Sequence, residues 1–260
     1  MIAGTDDVRL RHIDTINSAE SGYDVVIVCT GNQRQADFWQ TRLEAAKGVV
    51  LPVSSAVVAV HEDWPGGAGN ALGTFYAYQK ACVRAQELHG IDISGQLASG
   101  SFSVGLFHTA GKGTRLAPLP AAENNNKPGV KLPVPVALQD ESTAPLSILE
   151  SVIKQTGAYA SSRKGRLSVF WGDQIFIPSV EIAYEPKCHC DILCTLGPMS
   201  SEDQWAEKGL QNYGLIAVGT TAAAQVEKVT HAQATKMLSE LGDIQSVGVS
   251  LVRPLHNATA

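Results

Sequence analysis

The stretch "YDVVIVCTGNQRQADFWQTRLEAAK", Tyr23 to Lys47, changes periodicity in its middle. Its first part is a β-branched run with no charge after Asp24, the composition of a strand buried on both faces. Its second part places Ala36, Trp39, Leu43 and Ala46 three and four residues apart, a helical stripe. A buried strand followed at once by an amphipathic helix is half of a βαβ unit. "SAVVAV" (Ser55 to Val60) supplies the next strand and "FYAYQKACVRAQEL" (Phe75 to Leu88) the next helix.

The alternation continues down the chain. "SFSVGLFHT" (Ser101 to Thr109) reads as a strand. "PLSILESVIKQTGAY" sets Ile148, Leu149, Val152 and Ile153 on one helical face, with Pro145 near the first turn. "RLSVFWGD", "CDILCTLG" and "YGLIAVG" read as further strands. The fold class expected is therefore α/β, a Rossmann-like mixed but mostly parallel sheet with helices on both faces. The Gly- and Ser-rich stretch Leu88 to Ser101 marks a boundary, giving an N-terminal α/β lobe over 1–95 and a core over 96–260.

Composition narrows the function. The chain has 260 residues, 44% of them apolar, and a formal charge of −5. It is long enough for a sizeable core, and its charge argues against a nucleic-acid partner, which normally meets a basic face. No apolar run is long enough to span a membrane. The first residues lack a basic segment followed by an apolar one, and the five cysteines are odd in number, so a cytoplasmic location is the default expectation.

Ligands of such sheets bind beyond the carboxyl ends of the strands, and two glycine-rich loops are expected there. "AGKGTRLAPLP" (Ala110 to Pro120) follows the third strand. Gly111 and Gly113 let backbone N–H groups approach an anion closely, Lys112 and Arg115 add charge, and Thr114 adds a hydroxyl. The spacing is not that of a P-loop, because Gly113 rather than Ser or Thr follows Lys112. Nor is it a dinucleotide fingerprint, because Leu116 stands where the third glycine belongs. The other loop, "PGGAGNALGT" (Pro65 to Thr74), has two readings. Either Gly69, Asn70 and Gly73 offer backbone groups to a nucleotide base, or the loop is a turn ending in a helix N-cap at Thr74. "KCHCDILC" (Lys187 to Cys194) lacks the second ligand pair of a zinc site; as a strand it would bury Cys190, Ile192 and Cys194 on one face.

Taken in order, "AGKGTRLAPLP", "NNKPGVKLPV" (Asn125 to Val134) and "FWGDQIF" (Phe170 to Phe176) resemble the sugar-1-phosphate nucleotidyltransferases. That family carries a GGxGTRLxPLT loop, a lysine–proline element and a later strand ending in GD. Ala110 replaces the first glycine of the pair, and either Lys127 or Lys131 matches the family's lysine. The resemblance implies a nucleotide-diphospho-sugar transferase-like fold, a nucleoside triphosphate and a sugar-1-phosphate as substrates, and Mg²⁺ as cofactor. It implies nucleotide binding at Ala110 to Thr114, with Gly172 close to the nucleotide. Arg115 and Lys127 or Lys131 would act on the phosphates, and Asp173 would hold the metal. "GTRLAPL" is similar to the uridylyltransferase pattern, which implies UTP and glucose-1-phosphate. The order of the N-terminal segments and His108 are similar to the fucose-1-phosphate guanylyltransferase branch, which implies GTP and fucose-1-phosphate. Relatives of this kind supply a second metal-binding acid and often a further domain downstream. Asp191, Asp203 and Asp243 do not match that acid, so a C-terminally short chain, or a binding protein without activity, is the competing expectation.

Overall fold

All six residues of β1 (Val25–Thr30) are buried, which a strand achieves only with neighbours on both edges and helices on both faces. The computed structural model describes residues 3–65, 67–109, 127–174, 188–189, 191–192, 195–219, 223–239 and 244–249. Its contacts divide the chain into two units, Met1–Ala183 and Tyr184–Ala260.

In the first unit, β1 pairs in parallel with β2 (Ala56–His61) and β3 (Val104–His108), and β3 pairs in parallel with β6 (Leu167–Trp171). The order β2-β1-β3-β6 makes a four-stranded parallel sheet. Strands on both sides of residue 95 thus share one sheet, and the expected 95/96 division falls inside the first unit. Alternate residues of the strands face opposite cores. Val26, Val28, Val57, Ala59 and Phe107 meet α2 (Gln33–Ala45) and α5 (Ile148–Gly157). Val25, Ile27, Val58, Val60, Val104 and Leu106 meet α3 (Asn70–His89) and α4 (Ile93–Ala98). Ala36, Trp39, Leu43 and Ala46 are all buried, as the stripe predicts. Each large apolar side chain so placed stabilises by about 1.5–3 kcal/mol relative to exposure. On α3 the inward residues are Ala77, Ala81 and Ala85, small enough to let the helix lie close to the sheet.

The step from β1 to β2 uses the α2 face, and the opposite step from β2 to β3 uses the α3 face, as right-handed crossovers require. The step from β3 to β6 goes the same way as that from β2 to β3, yet its helix α5 lies on the α2 face. That is the less common hand. A hairpin of β4 (Lys131–Ala137) and β5 (Thr143–Ser147) precedes α5 and lies along α2, with Gln139 N–H donating to Ala45 O at 2.9 Å. Pro145 therefore belongs to a strand, opposite Pro135, and not to the first turn of α5. Helix α5 is instead opened by a capping box between Ser147 and Glu150. An N-terminal helix, α1 (Ala3–Ser18), completes the unit.

The later strands do not extend this sheet. β7 (Thr195–Gly197), β8 (Gly214–Gly219), β9 (Ala223–Glu227) and β10 (Ile244–Val249) form a second, antiparallel sheet of order β7-β10-β8-β9. With α6 (Glu202–Glu207) and α7 (His231–Leu238) it surrounds a separate core of Trp205, Leu210, Leu215, Ala217, Val226 and Ala234. Ile192 is exposed, against the expectation that it shares a buried face; Cys190 and Cys194 lie outside the described residues. No helix among the described residues is long and apolar enough to cross a membrane.

Candidate functional site

Four parallel strands deliver their carboxyl ends to one edge, at Thr30, His61, His108 and Trp171. Strand order reverses between β1 and β3, although α2 and α5, the helices that follow these two strands, lie on the same face of the sheet. There β3 is tied down firmly. Thr109 donates both its N–H (2.8 Å) and its hydroxyl (2.9 Å) to Cys29 O at the end of β1, and Gly172 N–H donates to His108 O at 2.9 Å. The Gly172 backbone continues into Asp173, whose Oδ2 accepts from Lys127 Nζ at 3.3 Å. Both side chains are about one-third exposed, 31% and 38%. The residue before the "AGKGTR" loop and the residue that opens the lysine–proline element thus meet the GD element at one corner.

Along the same carboxyl edge of the sheet stand side chains with defined partners. His108 Nε2 lies 2.8 Å from Thr74 Oγ1 on α3, and its ring rests against Trp171 at 5.5 Å. Burial pushes the His108 pKa below the ordinary histidine value, with the Glu62 charge partly opposing it. Glu62, just past β2, accepts the N–H of Ala68. Asp63 accepts from Tyr76 and pairs with Lys80 at 3.1 Å, and these two, the tyrosine first, hold its carboxyl at about 2.

A comparison with protein families, curated proteins and solved structures found no match to this chain.

The expected site residues are distributed as follows. Ala110, Gly111, Lys112, Gly113, Thr114 and Arg115 lie outside the described residues. Of the two lysines, Lys127 meets Asp173, whereas Lys131 donates to Gly129 O at 3.3 Å and lies over the Phe38 ring at 5.6 Å. Gly172 is small for a packing reason. A Cβ there would meet His108 O, Leu149 Cδ1 and Thr109 Cγ2, each at 3.1 Å. Gly69, at φ 72°, is the N-cap of α3, and Asn70 and Gly73 fall in its first turn. Thr74 is therefore inside the helix and not its cap. No cluster of three acidic, histidine or cysteine residues suited to a metal occurs among the described residues.

Asp173 is a single hard carboxylate at a strand end. Mg²⁺ typically takes one or two carboxylates and completes its shell with water and substrate phosphate. The residue present fits that mode, and does not fit an all-protein cage. Glu62 was not singled out from the sequence, and Thr74 was read only as a helix cap and not as the partner of His108. Glu62 stands three residues before the loop "PGGAGNALGT", and its partner lies across a turn that residue spacing alone does not define.

Proposed function

We propose that this chain is a sugar-1-phosphate nucleotidyltransferase with a Rossmann-like, nucleotide-diphospho-sugar transferase-like core. It joins a nucleoside triphosphate to a sugar-1-phosphate and releases pyrophosphate. The observation that carries this reading is the Lys127–Asp173 contact beside Thr109 at the carboxyl edge of a parallel sheet. Two segments of the resemblance, at Lys127 and at Gly172–Asp173, meet there, beside the residue that precedes the glycine-rich loop.

The reaction brings two polyanions together, so cations and oriented N–H dipoles supply most of the stabilisation, and alignment supplies the rest. An oxygen of the sugar phosphate attacks the α-phosphorus, and the bond to the pyrophosphate oxygen breaks. In this reading the backbone of Gly111 to Thr114 binds the triphosphate and Arg115 neutralises the departing pyrophosphate. Lys127 leaves Asp173 to span the two reacting phosphates. Mg²⁺, held by Asp173, would supply charge neutralisation at the phosphate oxygens. UTP with glucose-1-phosphate is the pair favoured by "GTRLAPL". GTP with fucose-1-phosphate is the second, favoured by His108, which ends β3 immediately before Thr109.

The test is pyrophosphate release from the protein with Mg²⁺, each of the four common nucleoside triphosphates and a panel of sugar-1-phosphates. Release with one pair, abolished in Arg115→Ala with the fold intact, supports the reading. Nucleotide binding without release points to a binding protein instead, and neither binding nor release ends the proposal.

A further inference from the structure

β2 and β3 flank β1, and each sends one side chain from its carboxyl end to the same segment. From β2 comes Glu62. Its N–H is fixed to Thr30 O at 2.8 Å, and its carboxylate accepts the N–H of Ala68. The segment curls around that carboxylate. Gly67 and Gly69 take φ of 82° and 72°, and Cβ atoms at Gly67 and Gly73 would lie 3.8 and 3.6 Å from the carboxylate oxygens. From β3 comes His108, which grips Thr74 at 2.8 Å and is backed by Trp171. Residues 67–74 are thereby fastened on both sides of β1, beside the point where strand order reverses.

We propose that Glu62 and His108 are positioning residues that staple residues 67–74 into a preformed rim of the nucleotide site, so that the backbone faces the base without having to order itself on binding. This rests on the nucleotidyltransferase reading. A rim fixed before binding strengthens affinity by lowering the entropy lost on association, and neither residue has to touch the nucleotide.

The test uses the full chain and three variants, Thr74→Val, which keeps shape without the hydroxyl, Thr74→Ser, which keeps the hydroxyl, and Glu62→Ala. Amide hydrogen exchange of residues 67–74 and the dissociation constants of Mg²⁺–UTP and Mg²⁺–GTP are read together, with circular dichroism as the check on folding. Losing one such hydrogen bond corresponds to roughly tenfold. Thr74→Val and Glu62→Ala are expected to exchange about tenfold faster over 67–74, with β1 unchanged. The same two should bind the nucleotide about tenfold more weakly and raise KM more than they lower kcat. Thr74→Ser should stay within about twofold of the wild type. Wild-type exchange in Thr74→Val overturns the staple, and faster exchange with undiminished affinity overturns its positioning role. If the wild type binds neither nucleotide while Thr74→Val still exchanges faster, the function reading and the rim fall together, and the staple stands as a purely structural device.

Discussion

Lys127 and Lys131 are four positions apart, carry the same charge and flank one proline–glycine turn, yet the fold gives them different neighbours. Lys127 reaches the carboxylate at the end of β6, and Lys131 packs over an aromatic ring of α2. Lys127→Ala is therefore expected to cut pyrophosphate release by about 100-fold or more, the scale of removing one electrostatic contributor to a charged transition state. Lys131→Ala should stay within about threefold. An equal loss in both would move the role to Lys131 or to the pair. His108 makes a second prediction, in pH. Burial lowers its folded-state pKa below 6.5, so the unfolded chain takes up the proton first as pH falls. The associated stability is present above the ordinary histidine range and is lost as pH drops through 6.5 towards the lower folded value. Urea midpoints at about pH 7.5 and about pH 5.5, on either side of that range, should differ more for the wild type than for His108→Gln. A variant as pH-sensitive as the wild type would show that His108 titrates like an exposed imidazole.

Helices α2 and α5 lie on the same face of the sheet and are joined by one polar contact inside an apolar core. Glu150 is fully buried. It closes the α5 capping box through Ser147 N–H at 2.7 Å and accepts Arg42 Nε at 2.6 Å and Nη2 at 3.2 Å. Glu150→Ala strips the cap and leaves a nearly buried guanidinium without its counter-charge, for a cost of about 3–5 kcal/mol. Glu150→Gln keeps hydrogen-bonding atoms in place and should cost clearly less. Denaturant unfolding of the two variants measures the difference, and equal losses would mean that the charge opposite Arg42, rather than the cap, dominates. At this scale the sequence was informative where local pattern and tertiary role coincide. β1, α2, β2 and β3 were legible because two-sided burial and a 3.6-residue stripe leave their mark on neighbouring letters. The β4–β5 hairpin was not, because Pro133, Pro135 and Pro145 read as interruptions, and an edge-type hairpin tolerates them. Helix α1 was missed because it shows no apolar stripe: Leu10 is exposed, and among its described side chains the buried one is His12. Of the three motifs read in order, the second and third meet at the Lys127–Asp173 contact, and the first lies outside the described residues. The His108–Thr74 contact was not legible, since it depends on β3 lying beside the start of α3, and nor was Glu62–Ala68, which depends on the shape of the turn between them.

Across the whole molecule, the run of strands in the sequence conceals a change of architecture. Only residues 220–222 lie between β8 and β9, too few for the crossover of a dozen or more residues that a parallel pair needs, so antiparallel pairing was forced there. Among the described residues, the second unit's core is separate from the cores on the two faces of the parallel sheet. The core on the α2 face is built on Trp39, Leu43 and Phe107, and that of the second unit on Trp205, Leu215 and Val226. Trp205 is 2% exposed and donates its indole N–H to Val229 O at 3.2 Å, so its loss removes both the centre of the second core and the tie to the segment before α7. Trp205→Ala is expected to cost about 3–5 kcal/mol within the unit that holds it. Since stability need not be uniform along a chain, amide exchange should accelerate in β8 and α7 while β1 and β3 keep wild-type protection. Trp39→Ala should do the reverse, exposing the parallel sheet and leaving β8 protected. Equal loss of protection in both units from either substitution would mean that the two cores unfold as one cooperative body.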